Sequence, residues 1–510
     1  MKLLPVGFAV LFAVAHTQSP LYYSNQNQYV LHGAASAGVG DLSSDWLANT
    51  TDPTPAFSAF VAFCLAHLGE WPFHVVFFLA LMAYFLSAWW LVKPSAVAGP
   101  VFAALFTLLH AGILRWASDR LLGADYPWFF HCGLASQYIL GPGVQPSVIG
   151  VALLASVAAY RDERPLLAVG LAAGANLIHS TYLLPAALLI AGYLVGEATR
   201  RKWKTVALGA LLGVALVAPV VLHILIAFAP DPTCFDEAQR ILSEVRIPHH
   251  TRPGRWLDWV AGFQVLWMLA GLLVLRGTRL FVPLCVTAAL AALGTFAVLV
   301  AENPTLSLLF PWRISAVLVP VATAVLVAKL AERMPWFDWP LARGLLGIAV
   351  VGAVLVQSFH LGYREPEGED AALEYVAAHH QPGEVYLVPA RFPKPTTARG
   401  VYSNTFTTPP DPSAVVYFEM ARFRLRTGAA LYVDFKAIPY RDTEVMEWHR
   451  RVSRCVAWFQ DADWDRRGVV EEIVREGITH VVAPTAMGLK SQRLEAIPLE
   501  RGAYTVYRVK

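Results

Sequence analysis

The chain has little charge for its length. Only 15% of its 510 residues are Asp, Glu, Lys or Arg, and 40 basic against 37 acidic residues leave a formal charge of +3. That balance carries no footprint of a nucleic-acid partner, and none is expected. Cysteine is also scarce. The five thiols at positions 64, 132, 234, 285 and 455 form neither a metal-binding spacing nor a disulfide framework. Cys132 and Cys234 lie where they could meet outside a membrane, but two unpaired thiols is the simpler reading. A Gly-rich phosphate loop is missing from the C-terminal part. Most telling is a local absence: no Lys or Arg occurs between Lys2 and Lys93. Within that gap lies "SPLYYSNQNQYVLHGAASAGVGDLSSDWLANTTDPTPAF", rich in Asn, Gln and Ser and carrying Asp41, Asp45 and Asp52.

Apolar residues are abundant. They make up 56% of the chain, and the mean hydropathy is +0.48. An ordinary soluble domain is not built this way. Apolar runs of roughly 15 to 25 residues recur, which is the size of a bilayer-spanning helix. The chain therefore reads as a polytopic α-helical membrane protein. Eleven crossings are expected, at 3–16, 73–92, 96–114, 147–160, 166–180, 182–197, 205–228, 256–275, 280–301, 313–331 and 344–361. No small-residue cleavage site follows the first run, so it reads as a spanning helix rather than a signal peptide.

Charge sets the expected orientation. Lys2, Lys93, Arg161 with Arg164, the run "RRKWK" (Arg200 to Lys204), Arg276 with Arg279, and Lys329, Arg333 and Arg343 all fall on one side. Basic loops mark the cytoplasm. The expected localisation is multi-pass in a plasma membrane, a bacterial inner membrane, with a cytoplasmic N-terminus. This register requires 54–69 to lie along the outer interface as an amphipathic helix. Loops 17–72, 115–146, 229–255 and 302–312 then lie outside, as does residue 362 onward. From 362 to 510 charge density rises and the apolar runs shorten. Helical patterns at 370–380 and 441–455 alternate with the strand-like runs "EVYLVP", "LYVDF", "THVVAP" and "AYTVYRV". Two domains follow: a transmembrane part, 1–361, and a small extracytoplasmic α/β domain, 362–510.

Cations on the expected outer face break the charge rule. They are Arg246, His249, His250, Arg252 and Arg255 in "SEVRIPHHTRPGRWLDW", and Arg313 in "LLFPWRIS". Each alone reads as an interfacial anchor. Together they read as a phosphate site, because a guanidinium offers phosphate a planar fork of donors. Asp41, Asp45 and Asp52 on the same face are candidate carboxylates. One of them would take a proton from an acceptor or hold a divalent cation, Mg or Mn, while the cations stabilise a leaving phosphate. As alternatives, Asp45 or Asp52 would serve only as a helix cap or turn residue. Polar groups inside apolar spans, His110, Asn176 and His179 with Tyr182, point to a cavity. The aromatic, Gly/Pro-broken segment 125–146 reads as an interfacial or re-entrant cover, with His131 and Gln137 as lining residues.

The layout resembles the GT-C superfamily of membrane glycosyltransferases that use polyprenyl-phosphate sugars. The stretch "NQNQYVLHGAASAGVGDL…TDPTPAFSAFVAFCLAHLGE" is similar to that family's first outer loop. Asp41 falls at its Gly-Asp position, and "DPTPAF" resembles its Asp/Pro segment. "PWRIS" and "YVDFKAIPYRDTEVMEWHRR" look like further shared segments. The resemblance implies sugar transfer from a polyprenyl-phosphate donor to a glycan, lipid or protein acceptor, with the bilayer as surroundings. The chain departs from the pattern where the family has an acidic pair before the Tyr: here stand Asn25-Gln26 and Asn27-Gln28. An amide cannot act as a base, which shifts the expected catalytic role to Asp45, then Asp52. Two other classes compete. A transporter or flippase of lipid-linked intermediates predicts paired repeats with broken helices. A non-catalytic scaffold of GT-C type would keep the lipid-phosphate site without the chemistry.

Overall fold

The computed structural model describes residues 4–16, 20–23, 25–141, 143–333, 339–361, 369–390, 419–499 and 503–510. Up to residue 361, the regular structure among the described residues is all helical, joined by turns and loops. Among the described residues six helices are long and apolar enough to cross a bilayer: Trp71–Val92, Ser180–Thr199, Trp203–Ala227, Phe281–Ala301, Pro304–Arg333 and Pro340–Phe359. Ala98–His110 and Gly112–Leu122 make a seventh if the 52° bend between them lies within one span. The side chains confirm what the composition implies. Leu211 and Ile226 of Trp203–Ala227 are 67% and 79% exposed, so this helix turns apolar groups outward, as a bilayer demands.

The expected count of eleven is not established. Four of those segments form the shorter helices Leu4–Ala15, Pro146–Arg161, Pro165–Ile178 and Trp259–Val274. At about 1.5 Å per residue, 12 to 16 residues reach only about 18–24 Å, less than a typical hydrocarbon core. Proline at the start of two of them, Pro146 and Pro165, fixes where each begins. Pro55–His67, expected along an interface, is likewise a short apolar helix, with Pro55 in its first turn. The segment 125–146 is broken as its Gly and Pro content suggests. It forms the short turns Tyr126–Phe130 and Leu134–Ser136, and Ala135 and Ser136 adopt φ of 55° and 54°. Its Trp128, Phe129 and Cys132 are buried against Trp256, Val260 and Trp312.

The C-terminal part is a small α/β domain. Its strands are β1 (Val385–Leu387), β2 (Ala430–Leu431), β3 (His480–Pro484), β4 (Leu494–Ile497) and β5 (Tyr504–Val509), in the order β2-β1-β3-β5-β4. β1 pairs in parallel with β2 and β3, and β5 pairs antiparallel with β3 and β4. The strand-like runs "EVYLVP", "THVVAP" and "AYTVYRV" became β1, β3 and β5; of "LYVDF" only Leu431 lies in a strand, β2, and β4 carried no such signal. Helix Asp370–His379 covers one face through Leu373 and Val376. Helix Asp442–Trp458 covers the other through Val445, Trp448 and Val452. This second core also takes in Ala238, Ile241 and Leu242 from the helical part.

The first loop and the α/β domain meet backbone to backbone. Asp41 N donates to Gly428 O at 2.7 Å. Both Gly40 and Gly428 have positive φ, and a Cβ on Gly428 would lie 2.9 Å from Gly40 Cα. Gly428→Ala is therefore expected to cost about 1–3 kcal/mol, through left-handed strain and overlap. A lowered melting temperature of the whole protein would show it; a melting temperature equal to wild type would mean that the close approach is not maintained.

Candidate functional site

Side chains from the first loop, the loops at 229–258 and 311–314, and the α/β domain converge where the domain sits on the helices. At the centre lies a buried ion triad. Asp45 has no exposed surface. Its Oδ1 accepts from the N–H groups of Leu47 (2.9 Å) and Ala48 (3.2 Å). Its Oδ2 accepts from Leu431 N (2.8 Å) and Arg424 Nε (2.7 Å). Arg424 also donates through Nη1 to Asp434, whose Oδ1 accepts from Ala437 N at 2.6 Å. Every strong acceptor direction of the Asp45 carboxylate is taken, and a neighbouring guanidinium neutralises it. Asp45 thus holds the α/β domain to the first loop, and its geometry is that of a tether rather than of a base.

The amides in place of an acidic pair do the same work with neutral groups. Gln26 Nε2 donates to Val144 O (2.7 Å), and Gln28 Nε2 donates to Ile438 O and Tyr440 Oη (both 3.0 Å). Asn27 Nδ2 reaches Asp434 Oδ2 at 3.4 Å and Asn25 Nδ2 reaches Tyr138 Oη at 3.4 Å. The amide N–H groups of Gln26 and Gln28, bonded in this way, fix the path of the loop across the joint.

Beside the triad the cations gather. Arg246 is buried, donates to the Lys436 carbonyl and lies 5.5 Å over the Phe435 ring. The rings of His249 and His250 are 4.0 Å apart. His250 Nδ1 donates to Ala135 O at 2.7 Å, and its own carbonyl accepts from Trp312 Nε1 at 3.0 Å. Burial holds both imidazoles far down, His250 to about 3, with Arg246 and Lys436 adding to the effect on each and Arg313 on His250. They are neutral donors and acceptors at physiological pH. Burial, then Arg246, pulls the Lys436 ammonium down to about 7, against the opposing pull of Asp434.

Arg313 completes the group. It is half-buried, 5.9 Å from the Tyr182 ring and 5.5 Å from that of Phe310. No carboxylate pairs with it among the described residues. His179 lies edge-on to Tyr29 and Tyr182, at 5.6 and 5.4 Å, and its Nδ1 is buried without a partner. Tyr182 Oη donates to Ser147 O at 2.6 Å.

The structure therefore brings together Arg246, His249, His250, Arg313, His179 and Tyr182. It leaves other expected residues apart. Arg252 is exposed and paired with Glu244, and Arg255 is half-buried away from any ion pair among the described residues. Asp41 is half-buried; its carboxylate accepts from Ser44 Oγ (2.6 Å) and Gly383 N (2.8 Å), which hold it below the usual carboxylate range. Asp52 is half-buried and accepts from Thr54 N at 2.8 Å, a turn contact that occupies one oxygen. Gln137 is buried. His131 stacks 4.5 Å from His110 inside the helical part, with neither ring nitrogen partnered. Among the described residues no three His, Cys, Asp or Glu side chains converge as a metal would need.

Sequence reasoning missed Arg424, Asp434, Lys436, Tyr29 and Tyr138. The run "YVDFK" belongs to a motif quoted above, but its two charged residues show their roles only once folding sets Asp434 against Arg424 and Asn27, and Lys436 beside Arg246.

Fold and site together define a polytopic helical membrane protein with an α/β domain seated over a cationic, aromatic-walled joint. A family model described as a domain of unknown function (DUF6798) matches residues 403–455. That is 53 of 510 residues, and it includes Arg424, Asp434 and Lys436; its first part, 403–418, lies outside the described residues. No curated protein matches the chain.

Proposed function

We propose that the chain is a membrane glycosyltransferase moving a sugar from a polyprenyl-phosphate donor to an acceptor on the extracytoplasmic face. The observation that carries this reading is Arg313. A half-buried guanidinium with no carboxylate partner, ringed by Tyr29, Tyr138, Tyr182 and the neutral His179 and His250, is a seat for an anion brought from outside. Tyrosine hydroxyls and side-chain amides around it suit a sugar headgroup, and the adjoining apolar helices suit a prenyl tail. Developing negative charge on the leaving phosphate would fall near Arg313, Arg246 and Lys436, already in place before reaction.

Of the three acids in the first loop, Asp52 keeps one carboxylate oxygen clear of the contacts described, so it takes the role of base. Asp52→Asn is expected to lower transfer by about 100-fold or more while donor binding is unchanged. The measurement is transfer by purified protein in lipid, with a panel of polyprenyl-phosphate sugars. Equal rates for wild type and variant would remove Asp52 from the mechanism.

A second reading rests on a specific observation. Asp45 is fully engaged, and Asn25 to Gln28 are structural amides. A scaffold that binds a lipid-linked phosphate without transferring its sugar needs nothing more than this. Donor binding without transfer to any acceptor tried would favour it. A transporter or flippase draws less support: one bent pair, at His110–Gly112, stands without a matching partner among the described residues.

A further inference from the structure

The turn between helices Ser180–Thr199 and Trp203–Ala227 carries the run "RRKWK". Basic turns orient a chain during insertion, but the cations persist afterwards, and the fold shows what they face. Arg201, Lys202, Trp203 and Lys204 are all exposed. The backbone of the turn is satisfied within itself: Arg201 N donates to Ala198 O (2.8 Å) and Lys202 N to Glu197 O (3.0 Å). Helix Pro165–Ile178 brings a further cation to the same end. A Cβ on Gly209 would lie 3.6 Å from Val169 and 3.9 Å from Leu166, and one on Gly213 would lie 3.7 Å from Val169. These contacts set the starts of the two helices side by side, and exposed Arg164 caps the first of them.

The acids beside these cations in the chain are committed elsewhere. Asp162 accepts from Lys93 Nζ (2.6 Å) and Trp90 Nε1 (2.5 Å). Glu197 is buried and accepts from Arg279 Nη2 (2.6 Å) and Tyr160 Oη (3.0 Å), with Arg200 at 3.8 Å. Glu163 lies 3.5 Å from Arg279. Arg164, Arg201, Lys202 and Lys204 pair with no carboxylate among the described residues. Only Gly209 and Gly213 of helix Trp203–Ala227 are buried, whereas Trp203 is 64% and Val214 67% exposed. A helix with that surface stands at the rim of the helical part. A bilayer beside it puts acyl chains along Leu208 to Val214 and headgroups at the level of Trp203.

We propose that Arg164, Arg201, Lys202 and Lys204 bind the headgroup of an anionic bilayer phospholipid at this rim. Arginine offers the phosphate a planar fork of donors and lysine a point charge, and basic residues at a bilayer surface are drawn to anionic lipids. The site is separate from the cationic joint. Tyr182 precedes helix Leu183–Thr199 and Arg200 follows it, which sets the two sites about 25 Å apart at about 1.5 Å per residue. The inference therefore stands whether or not the chain transfers a sugar.

The test is native mass spectrometry of the full-length protein in a neutral detergent, titrated with dioleoyl phosphatidylglycerol or with zwitterionic dioleoyl phosphatidylcholine. The readout is the Kd of the first lipid bound. Wild type is expected to bind phosphatidylglycerol at least about tenfold more tightly. A variant with Arg164→Gln, Arg201→Gln, Lys202→Gln and Lys204→Gln is expected to lose that preference. One with Arg201→Lys, Lys202→Arg and Lys204→Arg keeps the charge and is expected to keep the preference, as is Lys93→Gln with Arg161→Gln, which removes two cations that stand at Asp162. Glycerol 3-phosphate, a headgroup charge without acyl chains, is expected not to bind over the same range. Equal wild-type affinity for the two lipids overturns the proposal. So does a preference that survives the four glutamines, or one lost in the charge-keeping variant. An equal loss in the Lys93 and Arg161 variant would make the preference a matter of net charge and overturn it too. Glycerol 3-phosphate binding as tightly as the lipid would assign the patch to a soluble anion instead.

Discussion

Arg424→Leu is expected to destabilise the protein by about 3–5 kcal/mol and to free the α/β domain from the first loop. The size follows from what is left behind. Two buried carboxylates, Asp45 and Asp434, lose their shared cation together. Water cannot reach Asp45 to compensate. Asp45 keeps three N–H donors and Asp434 keeps one with an amide, so each remains hydrogen-bonded but unneutralised. Thermal unfolding in detergent would report the loss. Limited proteolysis would report where it occurs, with faster cleavage in the first loop and across the joint. A triple variant in which Asp45 and Asp434 also become Asn is expected to recover part of the stability, because the orphaned charges are gone. Wild-type melting for Arg424→Leu would show that the triad holds nothing together.

Arg313→Gln is expected to do the opposite: little change in stability and a large loss of ligand. Arg313 has no ion pair to break among the described residues, only ring contacts with Tyr182 and Phe310. Its removal should weaken binding of a prenyl phosphodiester by about 2–5 kcal/mol, at least about 30-fold in Kd. Rising salt should weaken wild type more than the variant, since a screened contact is one the variant lacks. A variant that melts early but binds normally would identify Arg313 as a packing residue and remove the main support for the anion site.

The long apolar helices were legible because hydropathy over some twenty residues depends only on neighbours along the chain. The same signal overstated the shorter ones. Leu4–Ala15 and Pro165–Ile178 are apolar enough for a bilayer yet too short for a full span, and hydropathy does not measure where a helix stops. Strands β1, β3 and β5 were legible from their apolar runs, whereas "LYVDF" meets β2 only at Leu431. β4, "LEAI", has two of its four positions exposed and an acid in the middle, so it offered no such run. The acidic loop was read as a place for chemistry because its own cations were missing. The missing cation is Arg424, 379 positions from Asp45. A buried carboxylate waiting for a distant arginine and a catalytic carboxylate look alike in one dimension. The cluster at Arg246, His249 and His250 was legible as cations on one loop, but Lys436 was not, because only folding brings it there.

The core under helix Asp442–Trp458 has a consequence for how the protein comes to be made. Ala238, Ile241 and Leu242 belong to a connection between two helices of the first part, yet they pack with Trp448, Val452 and Trp458. Cut free at residue 369, the C-terminal polypeptide would lack those three side chains and show apolar surface where they belong. It should emerge from expression alone as an aggregate or a loosely packed species. In biosynthesis the connection is translated first, so the last 140 or so residues mature against a surface that already exists. The helical part then acts as a mould, and any lesion that delays its insertion should surface as misfolding of a domain whose described residues include no membrane-length helix.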